Sequence, residues 1–213
     1  MGARGRLIAL EGIDGSGKST QARAVADALG AKLTHEPGST PVGVRLRQLL
    51  LAPEAPPLSP RAEALLMTAD RAEHVARVIQ PALAVGSWVV TDRFSASTIA
   101  YQGYGRGLDV PALAELVAWA TDGLAADLSI LVDVGVEVAA ARLAAAGDRG
   151  GADRMERLGP EFATRVRNGF LAQAAADPGR WIVVDGETKV EHLTAHIVAS
   201  VRERLGEAPA RAR

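Results

Sequence analysis

Residues 12–19 read GIDGSGKS and meet the pattern G-x-x-x-x-G-K-[ST] at every fixed position. The apolar run Leu7, Ile8, Ala9 and Leu10 precedes them, and residues 21–29, QARAVADAL, follow with helical spacing. Strand, glycine-rich loop and helix are thus expected in that order. In such a turn Gly12, Ile13, Asp14, Gly15, Ser16, Gly17, Lys18, Ser19 and Thr20 direct backbone N–H groups inward at the positive end of a helix, forming an anion nest. Lys18 is expected to reach the β- and γ-phosphates of a nucleotide, and the Ser19 hydroxyl to ligate Mg²⁺. The alternative is a turn that only joins a strand to a helix. A dinucleotide fingerprint is disfavoured, because the glycines run G-x-x-G-x-G and the order required is G-x-G-x-x-G.

The remaining chain alternates between the two element types. Strands are expected near 31–34, 87–92, 128–133 and 181–185, and helices over 42–51, 59–85, 95–101, 111–120, 136–146, 160–176 and 190–205. Ser59 is placed to cap the long helix, Pro60 to open it and Pro81 to interrupt it. Gly103, Gly105 and Gly107 suggest a loop after Tyr101. Residues 87–92 and 128–133 are largely apolar runs ending in Asp92 and Asp133, as in strands buried on both faces. The fold class is therefore α/β, a parallel sheet of about five strands covered by helices on both faces. One domain over 1–206 is expected, with a charge- and glycine-rich flap at about 147–159 and a frayed tail at 207–213.

With 213 residues and a formal net charge of -1, the chain has no general electrostatic attraction for nucleic acid or membranes, so any phosphate recognition must be local. The absence of Cys excludes disulfides and thiolate metal sites and suits a reducing cytoplasm. The basic start is followed by an apolar run too short for a signal peptide, and no stretch approaches a membrane span in length.

Ligands of parallel sheets lie beyond the carboxyl ends of the strands, so Asp92 and Arg93 should arrive where Lys18 arrives. There Asp92 suits Mg²⁺, held through water, and Arg93 suits a bidentate phosphate clamp; a surface ion pair between the two is the plainer alternative. A carboxylate in an anion nest must point away from the phosphates, so Asp14 either stabilises the turn or faces a second substrate. Arg149 and Arg154 on the flap are either solvated or supply positive charge to a migrating phosphoryl group. Arg71 either pairs with Asp70 or Glu73 at the surface or serves the site.

Taken together, the phosphate loop, HEPGST at 35–40, LLMTADRAEH at 65–74, DRF at 92–94, STIAYQG at 97–103 and DRME at 153–156 resemble the thymidylate kinase family over most of the chain. The resemblance implies the nucleoside monophosphate kinase version of the phosphate-loop fold. It also implies transfer of the γ-phosphoryl of ATP to dTMP, and a homodimer. Carried over by position, Arg71 would bond the thymine carbonyl and Arg93 the dTMP phosphate. Tyr101 would pack against the sugar's C2′ edge, Ser97, Thr98 and Gln102 would line the base and sugar pocket, and Asp14 would meet the 3′-hydroxyl or orient Arg93. With Gly15 and Ser16 in the loop, and Arg149 and Arg154 on the flap, the chain resembles the bacterial branch whose flap supplies the catalytic arginines. Departures are Met67 where Phe often covers thymine, His35 where Arg is common and Ser39 where Gly is common. A kinase for another small acceptor, or a nucleotide-dependent binding switch, remains the alternative.

Overall fold

The computed structural model describes residues 4–146 and 154–208. Five parallel strands form one sheet: β1 (Leu7–Glu11), β2 (Lys32–His35), β3 (Val89–Asp92), β4 (Leu128–Asp133) and β5 (Trp181–Asp185), in the spatial order β2-β3-β1-β4-β5. The helices are α1 (Lys18–Leu29), α2 (Pro41–Leu51), α3 (Pro60–His74), α4 (Gln80–Ala84), α5 (Ser95–Thr98), α6 (Val110–Ala120), α7 (Val136–Ala146), α8 (Gly159–Ala176) and α9 (Val190–Leu205).

Alternation along β1 sets the layers. Ile8 and Leu10 pack with Val25, Ala26 and Leu29 of α1 and with Leu193, Ile197 and Val201 of α9. Leu7 and Ala9 face Val75, Ile79 and Leu83 on the opposite side, and Leu131 of β4 packs with Phe162, Val166 and Phe170 of α8. Each fully buried Leu, Ile or Phe stabilises the fold by about 1.5–3 kcal/mol. Helix α1 stops at Gly30, whose left-handed φ of 63° lets its N–H close on Ala26 and Asp27.

Ser59 caps α3 as expected, accepting from the Ala62 N–H at 3.3 Å, with Pro60 behind it. The interruption expected at Pro81 is present as a π-helical turn just ahead of it, at Val75–Ile79, in which the Gln80 N–H bonds Val75 O. Proline has no N–H, and its ring would strike the carbonyl four residues back, so a wider turn just ahead of it absorbs the misfit. The loop expected at Gly103 and Gly105 is instead helical, a π-helix over Ile99–Gly105. Those glycines allow close packing. A Cβ on Gly105 would lie 2.6 Å from the Phe162 ring, and one on Gly103 3.0 Å from Val110.

The register pairs Leu10 and His35 with Asp92, so β1, β2 and β3 finish level. The phosphate loop, Glu36 and Arg93 leave those three adjacent strand ends, beside the point where strand order reverses.

Candidate active site

Gly15 and Gly17 hold φ of 81° and 92°, left-handed values that let the loop fold back onto the first turn of α1. Lys18 is buried, and its ammonium donates to Asp14 Oδ1 at 3.1 Å and Ile13 O at 3.4 Å. Asp14 also accepts from Arg93 Nη2 at 2.6 Å and from the Tyr101 hydroxyl at 2.9 Å. Burial works against its charge, but Arg93 and Lys18 outweigh burial and hold the carboxyl well below the usual carboxylate range. Asp14 thus faces Arg93 and Tyr101 as well as Lys18. Burial and Asp14 raise the Tyr101 hydroxyl, which stays protonated as the donor.

Arg93 is a non-glycine residue with φ of 73°, a conformation that costs about 1–3 kcal/mol unless its surroundings impose it. Here they do. Its N–H donates to Leu10 O at 2.9 Å, its carbonyl accepts from Thr91 Oγ1 at 2.8 Å, and the next N–H, of Phe94, donates to Glu11 Oε1 at 2.9 Å. Glu11 is fully buried and takes the Ser97 hydroxyl at 2.6 Å. Burial pushes its carboxyl up to about 7, with Ser97 and Arg93 holding back a larger rise. The Arg93 guanidinium donates to Gly12 O and Ser97 Oγ, both at 3.1 Å, and lies 4.7 Å from the Tyr101 ring centre. Ser97 therefore links Glu11 to Arg93.

Arg93 turns to Asp14, and Asp92 Oδ1 is buried with no hydrogen-bond partner among the described residues. It shares a cavity of about 360 Å³ with Ser19, Lys18 and Arg93. An unpartnered carboxylate oxygen beside a hydroxyl and a phosphate loop fits a hydrated Mg²⁺. Thr20 is exposed in the first turn of α1 and, like Gly17, does not line this cavity.

The far wall of the cavity carries Met67, Arg71, Thr98, Tyr101 and Gln102. Arg71 is buried, so its reading as a surface pair with Asp70 or Glu73 is corrected. Its Nε donates to Glu36 Oε2 at 2.8 Å, Nη1 to Thr98 Oγ1 at 2.7 Å and Nη2 to Phe94 O at 2.9 Å. His74 meets the other oxygen of Glu36 at 2.8 Å. Asp70, buried beside Glu36, accepts from the Gly38 N–H at 3.0 Å; burial and the Glu36 charge push it up to about 6.

Arg154 does not line the cavity with Lys18. It donates to Glu63 Oε2 at 2.8 Å and to Leu50 O at 2.9 Å, behind the acceptor wall. In this arrangement a fully buried carboxylate in the first turns of α3 outcompetes solvent for the guanidinium. Arg149 lies outside the described residues.

Sequence reasoning passed over three residues. Arg47 and Glu36 line the same cavity, Arg47 donating to Pro37 O at 2.9 Å. Arg142 reaches from α7 to Ser16 O at 3.2 Å and Gly186 O at 2.9 Å. A signal existed only for Arg142, the one basic residue in the alanine-rich helix VEVAAARLAAA.

Comparison with known proteins agrees with this geometry. The thymidylate kinase family model matches residues 10–197. A thymidylate kinase of Cereibacter sphaeroides is 45% identical over 98% of this chain and 100% of its own, and one of Carboxydothermus hydrogenoformans is 48% identical over 89% and 93%. The crystal structure of thymidylate kinase from Ehrlichia chaffeensis superposes with a TM-score of 0.77 at 30% identity, covering 93% of this chain and 99% of that one.

Proposed function

The chain belongs to the thymidylate kinase family and phosphorylates dTMP to dTDP with ATP; we propose that it does so by direct in-line transfer, with no covalent enzyme intermediate, between two phosphate sites joined at Asp14. The observation that carries this reading is one carboxylate bonded to both Lys18 and Arg93. A donor-site lysine and an acceptor-site arginine are then close enough for the phosphates they hold to meet.

In this reading the nest and Lys18 hold the triphosphate of ATP, while Arg93, with Arg47 on the same cavity wall, holds the phosphate of dTMP. Arg71 and Gln102 read the base above Met67, and Thr98 and Tyr101 meet the sugar. Ser19, and Asp92 through water, would hold Mg²⁺, which neutralises charge on the donor phosphates. An oxygen of the dTMP phosphate forms the new bond to the γ-phosphorus as the bond to the β-γ bridging oxygen breaks, releasing ADP. That oxygen is already a competent nucleophile, so the protein's work is positioning and charge stabilisation, without a general base. Arg149 and, once released from Glu63, Arg154 supply the flap's catalytic charge.

We also propose a homodimer. Val42 and Val44 on α2, Leu65 on α3 and Trp119 on α6 are exposed, Trp119 by 82%. They lie on neighbouring helices and suit burial against a second copy. No helix among the described residues is long and apolar enough to cross a membrane.

Steady-state turnover with ATP and Mg²⁺ over dTMP, dUMP, UMP and AMP tests the acceptor: dTMP should lead, and preference for the purine defeats the reading. Arg149→Ala should lower kcat far more than ATP affinity, and an unchanged kcat removes that residue from the mechanism. Sedimentation should give twice the chain mass of 22.2 kDa.

A further inference from the structure

Gln102 lines the cavity, but the residue that decides which end of its amide faces the acceptor does not. Gln102 Nε2 donates to Glu63 Oε1 at 3.0 Å. Glu63 is fully buried and also accepts from Arg106 at 3.1 and 2.8 Å and from Arg154 at 2.8 Å. Burial alone would push the Glu63 carboxyl up, but the bonds from Arg106 and Gln102 and the two arginine charges bring it below its ordinary value. An ionised carboxylate only accepts hydrogen bonds, so the nitrogen of the Gln102 amide must be the end that faces it. The amide oxygen is the end left for the cavity, and no donor among the described residues occupies it.

We propose that Glu63 is a positioning residue for acceptor specificity: by fixing the polarity of the Gln102 amide, it makes the pocket select a pyrimidine that carries a proton on N3. This rests on the dTMP-kinase reading of the pocket and goes beyond it to a residue outside the cavity. Thymine and uracil donate from N3–H to an oxygen. Cytosine presents a lone pair at N3, so two acceptors would face each other. Arg71 reinforces the choice. Its three bonds to protein use three of five N–H donors, and the remaining donors suit a carbonyl at C4 and repel the amino group that cytosine carries there. In this arrangement Arg106 and Arg154 maintain Glu63 as an acceptor and act on the base through it.

The test is the ratio of kcat/KM for dTMP to that for dCMP, with dUMP as control, in wild type and Glu63→Gln. A glutamine at 63 can turn either end toward Gln102, which frees the Gln102 amide to reverse. The dTMP:dCMP ratio should fall by about tenfold or more, because an unpaired buried polar group is the main source of such discrimination. The dTMP:dUMP ratio should stay unchanged, since both bases carry N3–H. A purely structural role would lower all three substrates together, and that result overturns the inference. Gln102→Leu reads the same ratio while leaving the ion pairs of Glu63 with Arg106 and Arg154 in place: it should fall, and an unchanged ratio overturns the inference even if Glu63→Gln does not fold. In the Gln102→Leu background, Glu63→Gln should alter the ratio no further. Wild-type enzyme that uses dCMP as readily as dTMP overturns the dTMP reading and this inference with it; wild-type selectivity that survives in Glu63→Gln overturns the inference alone.

Discussion

Asp14 and Glu63 each hold two cations, Asp14 at the cavity and Glu63 behind its wall. Asp14, with Lys18 and Arg93, lines the cavity and its side chain keeps 26% of its exposure; Glu63, with Arg106 and Arg154, has none. At Asp14 the cations face space that a phosphate can enter, so the ion pairs hold them ready and can be exchanged for ligand. At Glu63 no ligand has access, and the same charge pattern ties α3 to Arg106 at the end of the Ile99–Gly105 π-helix and to Arg154. The lesson is that access, more than charge composition, separates a binding cluster from a scaffolding one.

That comparison fails first at Glu63. Removing the carboxylate with Glu63→Ala leaves two arginines facing each other in a partly buried site, and should cost about 3–5 kcal/mol in urea unfolding. A loss below 1 kcal/mol would mean that the cluster scaffolds nothing. Lys18→Ala should behave oppositely, losing about 2.7–4 kcal/mol of transition-state stabilisation, on the order of a hundredfold or more in kcat, with little change in unfolding. Glu11, which serves the Asp14 side by pinning Arg93, gives a pH test. Its folded value of about 7 stands above the ordinary 4.5, so the native chain holds an extra proton between those values. The associated stability is complete below about pH 4.5 and is lost as pH rises through about 7. Glu11→Gln, permanently neutral, should remove about 1–3 kcal/mol of the decline in stability between about pH 5 and pH 8; parallel wild-type and variant curves would refute this. The smallest effect is at Ser59, which caps the turn containing Glu63. Ser59→Ala should cost about 1 kcal/mol and leave the kinetics of the Asp14 cluster unchanged.

The legible part of the site was the part built from neighbouring residues. The loop at 12–19 is contiguous, and its chemistry lies in backbone N–H groups that glycine spacing exposes, so Lys18, Ser19 and the turn could be read from the letters. The two apolar runs ending in Asp92 and Asp133 showed the buried parallel strands for the same reason. The π-helix at Ile99–Gly105 escaped because a glycine reads equally as a loop or as room for a neighbour, and only Phe162 packed against Gly105 distinguishes them. Arg47 and Glu36 escaped because nothing local separates a charged residue facing a cavity from one facing solvent.

What the chain determined by itself was local: periodicity, caps, and a phosphate loop between a strand and a helix, all set by backbone sterics and side chains a few residues apart. What only the tertiary structure decided was pairing. Arg93 reaches Asp14 across 79 positions, and Arg154 reaches Glu63 across 91. Bonds of that range depend on which strand ends and helix turns the sheet brings together, and no local pattern encodes a partner that far away.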